Sequence, residues 1–274
     1  MESNEKYIKY IMSWMDITEN DKSVLNDVCD MLSISQKNNN NDNSNELFLI
    51  KIIIESHMMY CNAFSLLTKK EYYEAWCILE QIEINLINIK YNIESLNTRH
   101  DYGLAFLNHM VRNWQNLYPY KVFGSSREII HEIQCSICHT PRSFFDDCMH
   151  EKGKLYNGQL CYDNVTKFEI ISYDIVSTPV NKFSVFFSES GDNNNYELLD
   201  LVLNYIKSTH QIFSVRLSNR FHDYHNGILS PDIPCPCNRS IKMYKDCCLK
   251  RKYICIQHVD IDFPTPLNVP ATFQ

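Results

Sequence analysis

The chain has 274 residues, 45% of them hydrophobic and 12% aromatic, which is enough for one large domain or two small ones with a real core. Its formal net charge of −7 argues against a general nucleic-acid-binding protein, because such proteins present a broad basic surface. Only six glycines are present, which argues against an enzyme with a Gly-rich phosphate-binding loop.

The N-terminal residues and the hydropathy pattern bear on the subcellular location of the protein. Residues 1–6 are acidic and polar, so they lack the basic and apolar regions of a secretion signal. No stretch reaches the roughly 18 apolar residues of a membrane helix. The closest run, 47–54, contains Lys51 and is followed by Glu55. We therefore expect a cytoplasmic protein without a membrane partner.

Helical spacing of apolar residues begins at the N-terminus. A first helix is predicted between Tyr7 and Met15, and Thr18 with Asp21 predicts the N-cap pair of a second helix that continues through Leu32. The chain therefore opens with two amphipathic helices.

The segment 38–45 is almost entirely asparagine. Such a composition cannot form an apolar core, so it predicts an exposed, mobile loop. Ser44 is then expected to cap a long helix from about Glu46 to Leu67.

The clearest helical periodicity follows. Its apolar residues are three or four positions apart and share one face: Tyr72, Ala75, Trp76, Leu79, Ile82, Leu86, Ile89 and Ile93. This stripe predicts core packing between antiparallel helices, with an oligomer interface as the alternative. One more helix is predicted from about Leu104 to Leu117. Together these elements predict a helical bundle domain over residues 1–125.

A first cysteine cluster lies just beyond the predicted bundle. Cys135 and Cys138 form a C-x2-C pair, and Cys148 with His150 follows after nine residues. Three thiolates and one imidazole are a sufficient ligand set for a structural zinc ion. Cys161 is the alternative fourth ligand in place of His150, because two intervening glycines permit the chain to turn back.

The region after this cluster has strand-like and helical patterns. Residues 168–176 are rich in β-formers, 183–187 alternate, 198–206 have helical spacing and 212–217 form another strand pattern. These elements predict a small β-β-α-β unit within a zinc-knuckle domain over residues 126–230.

A second cysteine cluster lies near the C-terminus. Cys235 and Cys237 are spaced C-x-C, and Cys247 and Cys248 are adjacent. Two tight pairs suit a tetrahedral thiolate cage for zinc, whereas adjacent cysteines pair poorly as a disulfide. The two clusters together predict two zinc ions per chain. Alternation over 253–263 predicts an edge strand or a partner-contacting tail.

The terminal cluster resembles the SEC-C motif, the small zinc module of the SecA translocation ATPase and of many bacterial proteins. Its usual form is C-P-C-G-S-G-x-x-x-K-x-C-C, which is matched here by Cys235, Pro236, Cys237, Ser240, Lys245, Cys247 and Cys248. The gap is one residue longer, and Asn238 and Arg239 replace the first glycine and shift the serine.

The whole chain is similar to a group of uncharacterised bacterial SEC-C-containing proteins. The similar segments are 73–84, 114–123, the Cys135 cluster with 156–158, and the terminal motif. The resemblance implies a SEC-C zinc module over residues 231–274. The expected fold class is therefore α+β: an N-terminal helical bundle, a zinc-stabilised β-β-α-β region and a C-terminal SEC-C module.

Basic residues surround the terminal cluster and form what we call the basic knob: Arg239, Lys242, Lys245, Lys250, Arg251 and Lys252. In SecA the module docks a chaperone, so the resemblance implies a protein partner that binds this knob. The predicted function is a zinc-binding interaction or adaptor protein. The alternative is a nucleic-acid- or ribosome-associated factor, accessory to a defence or mobile-element system.

Catalytic motifs are sparse. No H-E-x-x-H, G-x-S-x-G or P-loop sequence occurs. His222 and His225 form an H-x-x-H pair in a polar segment, where such a pair is more often a surface feature. Both cysteine clusters supply four ligands, and a filled zinc site is structural because no position remains for water. An enzyme is therefore not favoured, and no catalytic residue is predicted.

Overall fold

The described part of the chain mixes helices with small sheets, which confirms the α+β class in its coarse form. The computed structural model describes residues 4–96, 100–143, 148–186, 196–222, 230–235, 237, 242–251 and 254–263, without the side chains of His222, Cys255 and Gln257. The chain divides into two compact units, residues 1–211 and Ile212–Asn268. The three-part division at 125 and 230 stays a prediction.

Five α-helices lie in the described part of the first half of the larger unit. Their bounds are α1 Glu5–Met12, α2 Lys22–Lys37, α3 Asn41–Thr68, α4 Tyr72–Asn92 and α5 Leu104–Leu117. Among the described helices, α3 alone is long and apolar enough to cross a membrane, but 56% of its most apolar window is buried inside the fold. This burial is compatible with the core helix of a soluble protein.

The predicted asparagine loop is wrong, because most of that segment is helical. Helix α3 begins at Asn41, and the side chain of Asn40 caps it by accepting from the Asn43 N–H at 3.4 Å. Ser44 and Asn45 are buried within this first turn and a half rather than preceding the helix. Residues 38–42 are exposed, as their composition predicts, whereas hydrogen bonds within the fold satisfy the buried side chains of Ser44 and Asn45.

The apolar stripe on α4 packs into the core of the bundle, as predicted. Tyr72, Trp76, Leu79 and Ile82 are all buried within the single chain. Tyr118, just beyond α5, contacts the start of α4, because its hydroxyl donates to the Tyr72 carbonyl at 2.8 Å. The stripe therefore contributes to the bundle itself and is not available as an oligomer interface.

A long antiparallel ribbon extends from the bundle. Strand β1 (Phe123–Cys135) pairs with β4 (Asp163–Val176), and three register shifts interrupt the ladder. The register pairs Gly124 with Ile175, Ser126 with Tyr173, Glu128 with Ile170 and Ile130 with Phe168. Alternate residues of a strand share a face, so these partners lie on one side of the ribbon, where all five large apolar side chains are exposed.

The predicted β-β-α-β unit is wrong. The partner of β4 is β1, which the sequence did not reveal, and residues 183–186 form no strand with β4; Phe187 lies outside the described residues. Instead, Val185 makes an isolated bridge to Phe123. The segment is held against α4, because Trp76 Nε1 donates to the Lys182 carbonyl at 2.8 Å and the Tyr73 hydroxyl donates to the Phe183 carbonyl at 3.0 Å.

The remaining elements are short. A hairpin of β2 (Leu155–Tyr156) and β3 (Gln159–Leu160) lies between β1 and β4 in the chain, and α6 (Glu197–Tyr205) matches the predicted helix. In the smaller unit, β5 (Ser214–His222) and β6 (Ile254–Asp262) pair as a second antiparallel ribbon. A strand at 212–217 was predicted, and for 253–263 the structure has the predicted edge strand rather than the alternative of a partner-contacting tail; the pairing of the two strands was not predicted.

A buried histidine stabilises the bundle in its neutral form. His57 on α3 is fully buried, stacks on the Trp14 ring with centroids 5.4 Å apart, and its Nε2 lies 2.8 Å from the Tyr102 carbonyl. Nε2 must therefore carry the proton that it donates to that oxygen. Burial lowers the pKa of His57 to about 4, because the interior disfavours the charged imidazole.

We predict a pH-dependent contribution of His57 to stability. The unfolded chain binds a proton below a pKa of about 6.5, whereas the folded protein resists it until about 4, so stability is full above pH 6.5 and falls as the pH decreases. The loss is roughly 3 kcal/mol near pH 4. His57→Gln keeps a donor for Tyr102 but does not titrate.

The measurement is urea unfolding at several pH values, followed by tryptophan fluorescence. All three tryptophans, Trp14, Trp76 and Trp114, lie in the helical half of the chain. The difference in free energy of unfolding between wild type and His57→Gln should decrease as the pH falls from about 6.5 to about 4. A gap that stays constant would show that His57 is not buried in its neutral form.

Candidate metal centres

The first cluster begins where β1 ends. Cys135 is the last residue of the strand, and the chain then turns tightly, with the His139 N–H donating to the Cys135 carbonyl at 2.9 Å. The Ile137 N–H points at the Cys135 sulfur at 3.4 Å. This turn brings the exposed Cys138 back towards the buried Cys135, so a C-x2-C pair at a strand end presents two sulfurs on one side.

The β2–β3 hairpin fixes the other half of the cluster. Its two-residue turn, Asn157-Gly158, has positive φ at both positions (49° and 69°), as expected for an Asn-Gly hairpin. A Cβ on Gly158 would lie 2.6 Å from Leu32 Cδ1 and 2.9 Å from the Ser44 carbonyl, so only glycine fits against the helices.

Buried amides attach this hairpin to the bundle. Asn45 accepts from the Gly158 N–H at 2.8 Å and donates to the Leu155 carbonyl at 3.3 Å. Asn92, at the end of α4, accepts from the Leu155 N–H at 3.1 Å and donates to the Gly153 carbonyl at 2.8 Å. The residues on both sides of the hairpin, His150 and Cys161, are therefore positioned by helices far away in sequence.

Four side chains of the first cluster converge on one point. The ligand atoms of Cys135, Cys138, Cys148 and His150 all lie within 4.8 Å of one another. The His150 ring stacks edge-on against Tyr156, and its Nδ1 is buried without a hydrogen-bond partner in the described part of the chain. A buried imidazole nitrogen left unpaired beside three thiols fits a metal ion as the missing partner.

Cys161 lies beside this group but outside it. Its sulfur is 3.8 Å from the Cys135 sulfur and fully buried. Arg142 Nη2 donates to the Cys161 sulfur at 3.2 Å and to the His150 carbonyl at 2.8 Å, and its Nε pairs with Asp163 at 3.2 Å. The choice between His150 and Cys161 as fourth ligand therefore stays a prediction, although the geometry favours His150.

The electrostatics favour the thiolate at two of the three ligand cysteines, Cys135 and Cys138, whereas burial and the neighbouring cysteines raise the pKa of Cys148. Burial opposes ionisation of the Cys135 thiol, but hydrogen bonds from the backbone N–H groups of Cys138 and Ile137 lower its pKa to about 5. A hydrogen bond with Thr140 also lowers the pKa of Cys138. A zinc ion with three thiolates and a neutral imidazole carries a net charge of about −1, which the adjacent Arg142 guanidinium balances.

The terminal cluster is a cage of four sulfurs. Successive separations are 3.4 Å from Cys235 to Cys237, 3.6 Å from Cys237 to Cys247 and 3.7 Å from Cys247 to Cys248. All four sulfurs lie within 4.8 Å of one another. A Zn–S distance of about 2.3 Å places two thiolates of a tetrahedral site about 3.8 Å apart, so the cage has nearly the size that zinc requires.

Backbone hydrogen bonds close the cage. The Cys235 N–H donates to the Lys242 carbonyl at 2.9 Å, and the Tyr244 N–H donates to the Ile233 carbonyl at 2.9 Å. A single 3-10 turn, Tyr244–Asp246, then leads directly into the Cys247-Cys248 pair. The cysteine pairs are thus brought together by a short hairpin-like turn rather than by distant elements.

These sulfurs form most of a small core. Cys235, Cys237, Tyr244, Cys248 and Ile254 are buried against one another. Burial raises the pKa of Cys248 to about 12 and also raises that of Cys235. Without a metal these two thiols are therefore protonated, and a metal that binds them as thiolates must release their protons.

The basic knob is exposed where it is described. Lys242, Lys245, Lys250 and Arg251 all lie on the surface, and Lys245 pairs with Asp232 at 2.7 Å. Arg239 and Lys252 lie outside the described residues, as do the side chain of His222 and residues 223–225 of the H-x-x-H segment.

No protein-family model, curated protein or solved structure matches the chain. The structure brings together two groups of cysteine and histidine side chains that could hold two metal ions.

We predict that the two centres support different parts of the chain. A structural zinc ion contributes roughly 10–16 kcal/mol of apparent binding free energy, so losing one ligand should unfold its own surroundings. Cys237→Ser should expose residues 212–268 to limited proteolysis and leave the helices protected. Cys138→Ser, the matched variant, should instead expose the segment from Cys135 to Cys161.

Mass spectrometry of the early cleavage products measures both effects. Cleavage within α3 or α4 at the same rate as in the terminal cluster of Cys237→Ser would contradict the prediction, because the bundle would then depend on the terminal metal.

Proposed function

We propose that the chain is a cytoplasmic zinc-binding interaction protein whose two metal ions are structural. The observation that carries this proposal is the ligand chemistry of the two centres: seven thiols and one imidazole converge in two sets of four. Thiolate and imidazole ligands suit zinc, and four protein ligands leave no position for a catalytic water. The proposal therefore assigns no reaction to either centre.

The terminal module is the part for which a structural ion matters most. Its buried core consists largely of the cysteines themselves, with Tyr244 and Ile254 as the other fully buried members. So few apolar side chains cannot offset the entropy of ordering the loop, whereas a bound ion contributes its binding free energy to folding. We propose that this module is of the SEC-C type, on the strength of its motif.

The basic knob is the proposed docking surface. Lys242, Lys250 and Arg251 project from the loop that the metal closes, on a chain with a formal net charge of −7. A localised positive patch on an acidic protein favours an acidic partner surface, both by steering and by complementarity. A nucleic acid is the competing partner, and the experiment below separates the two.

We predict two zinc ions per purified chain. Elemental analysis of protein purified without added metal should give two equivalents of zinc. His150→Ala should retain about one, because an open coordination position weakens the site, and Cys161→Ser should retain two. A wild-type protein without zinc would contradict the proposal, and a Cys161→Ser protein with one would assign Cys161 as the ligand in place of His150.

We predict that charge reversal of the knob abolishes partner binding without loss of zinc. The variant carries Lys250→Glu, Arg251→Glu and Lys252→Glu, none of which is a metal ligand. The control carries the same reversal at three exposed lysines of the bundle, Lys22, Lys37 and Lys69, and so has an equal net charge.

The measurement is affinity purification with nuclease treatment, followed by mass spectrometry. An acidic protein should copurify with wild type and control, resist nuclease, and disappear with the knob variant. If the variant keeps every wild-type partner, the knob is merely a solvated surface. If the partner is lost on nuclease treatment and its binding weakens steeply with salt, nucleic acid is the ligand.

A further inference from the structure

The first cluster contains one thiol more than a four-coordinate metal requires. Cys161 is buried against the cluster, its sulfur 3.8 Å from that of Cys135. A disulfide has a sulfur–sulfur distance of about 2.05 Å, so the two atoms need to approach by less than 2 Å. A thiol this close to a metal-binding thiolate can compete with the metal for it.

Arg142 holds the extra thiol in this position. Its Nη2 donates to the Cys161 sulfur at 3.2 Å and to the His150 carbonyl at 2.8 Å, while Asp163 fixes Nε at 3.2 Å. Side-chain ion pairing and two hydrogen bonds therefore orient the guanidinium. Cys161 is consequently kept beside Cys135 rather than free to turn away.

Solvent reaches the cluster at a different sulfur. Cys138 is exposed and Cys148 is partly exposed, whereas Cys135 and Cys161 are both buried. An oxidant from solution therefore meets Cys138 first. A disulfide between the two buried sulfurs, once formed, is shielded from further reaction.

We infer that Cys135 and Cys161 are an oxidative modification site, in which a peroxide converts the metal-bound cluster into a Cys135–Cys161 disulfide and releases the metal. This inference rests on the proposed metal-binding function. It explains Cys161, which is not needed as a metal ligand, as the disulfide partner of Cys135.

The chemistry balances in three steps. Hydrogen peroxide transfers one oxygen to the Cys138 thiolate, giving a sulfenic acid and hydroxide. The Cys135 thiolate attacks that sulfur and displaces a second hydroxide, forming a Cys135–Cys138 disulfide. Cys161 then loses its proton, attacks the Cys135 sulfur and expels Cys138 as a thiolate. Overall, the Cys135 thiolate, the Cys161 thiol and one peroxide yield one disulfide, one water and one hydroxide, and Cys138 is again a thiolate.

Metal release follows from the loss of one ligand. Once Cys135 belongs to a disulfide, only Cys138, Cys148 and His150 remain, and the loss of one thiolate weakens the hold of this four-ligand site on zinc. Reduction of the disulfide restores the complete set, so the change is reversible.

The test treats the full-length protein with stoichiometric hydrogen peroxide, counts zinc before and after, and maps disulfides by mass spectrometry without reduction. Wild type should lose one zinc per chain and yield the Cys135–Cys161 peptide pair. Cys161→Ser should hold two zinc ions before treatment. After peroxide it should give no disulfide-linked peptide pair that contains residue 161. Cys77→Ser, which removes a thiol outside both clusters, should behave as wild type.

Several results would overturn the inference. One is a final disulfide that joins Cys135 to Cys138 or Cys138 to Cys148 in wild type. Another is a Cys161→Ser protein that lacks a zinc ion before peroxide, because Cys161 would then be a ligand. If Cys161→Ser fails to fold, the wild-type map still decides. If wild type holds no zinc, the proposed function fails, but the disulfide map still reports on the thiol pair.

Discussion

A two-stranded ribbon buries too little apolar surface to be stable alone in water, and every described sheet of this chain is two-stranded. Each thiol cluster lies at the end of one of the two long ribbons. Cys135 ends β1, and Ile254, the first residue of β6, packs into the terminal cluster. A metal ion at each cluster would cross-link the chain segments that meet there, and we propose that this coordination supplements a small apolar core.

The first cluster is also supported from the helical side. Asn45 and Asn92 satisfy the backbone of the β2–β3 region from α3 and α4, and Gly158 permits the close approach to Leu32 and Ser44. These contacts hold His150 and Cys161 close to Cys135 at the end of β1. Ligand geometry thus depends on buried amides as well as on the cysteines themselves.

The sequence was informative where one physical signal dominates, as in the α4 stripe and the spacing of the cysteines. It failed for β1, where charged residues interrupt the alternation: Arg127, Glu128 and Glu132 flank Ile129 and Ile130, and bulges shift the register. Composition misled at Asn41–Asn45, because hydrogen bonding can bury asparagine when a partner backbone is present. That partner lies more than a hundred residues away, and no local pattern reveals it.

The central claim is that both centres are closed, sulfur-rich structural zinc sites. X-ray absorption spectroscopy at the zinc edge of the purified protein tests it most directly, because it counts ligand types around the metal. The account predicts, over two zinc ions, seven sulfur ligands at about 2.3 Å and one nitrogen at about 2.0 Å, with no oxygen. Oxygen ligands from water or carboxylate in either site would contradict it, because a zinc ion with an open position is not the closed cross-link that the ribbons require.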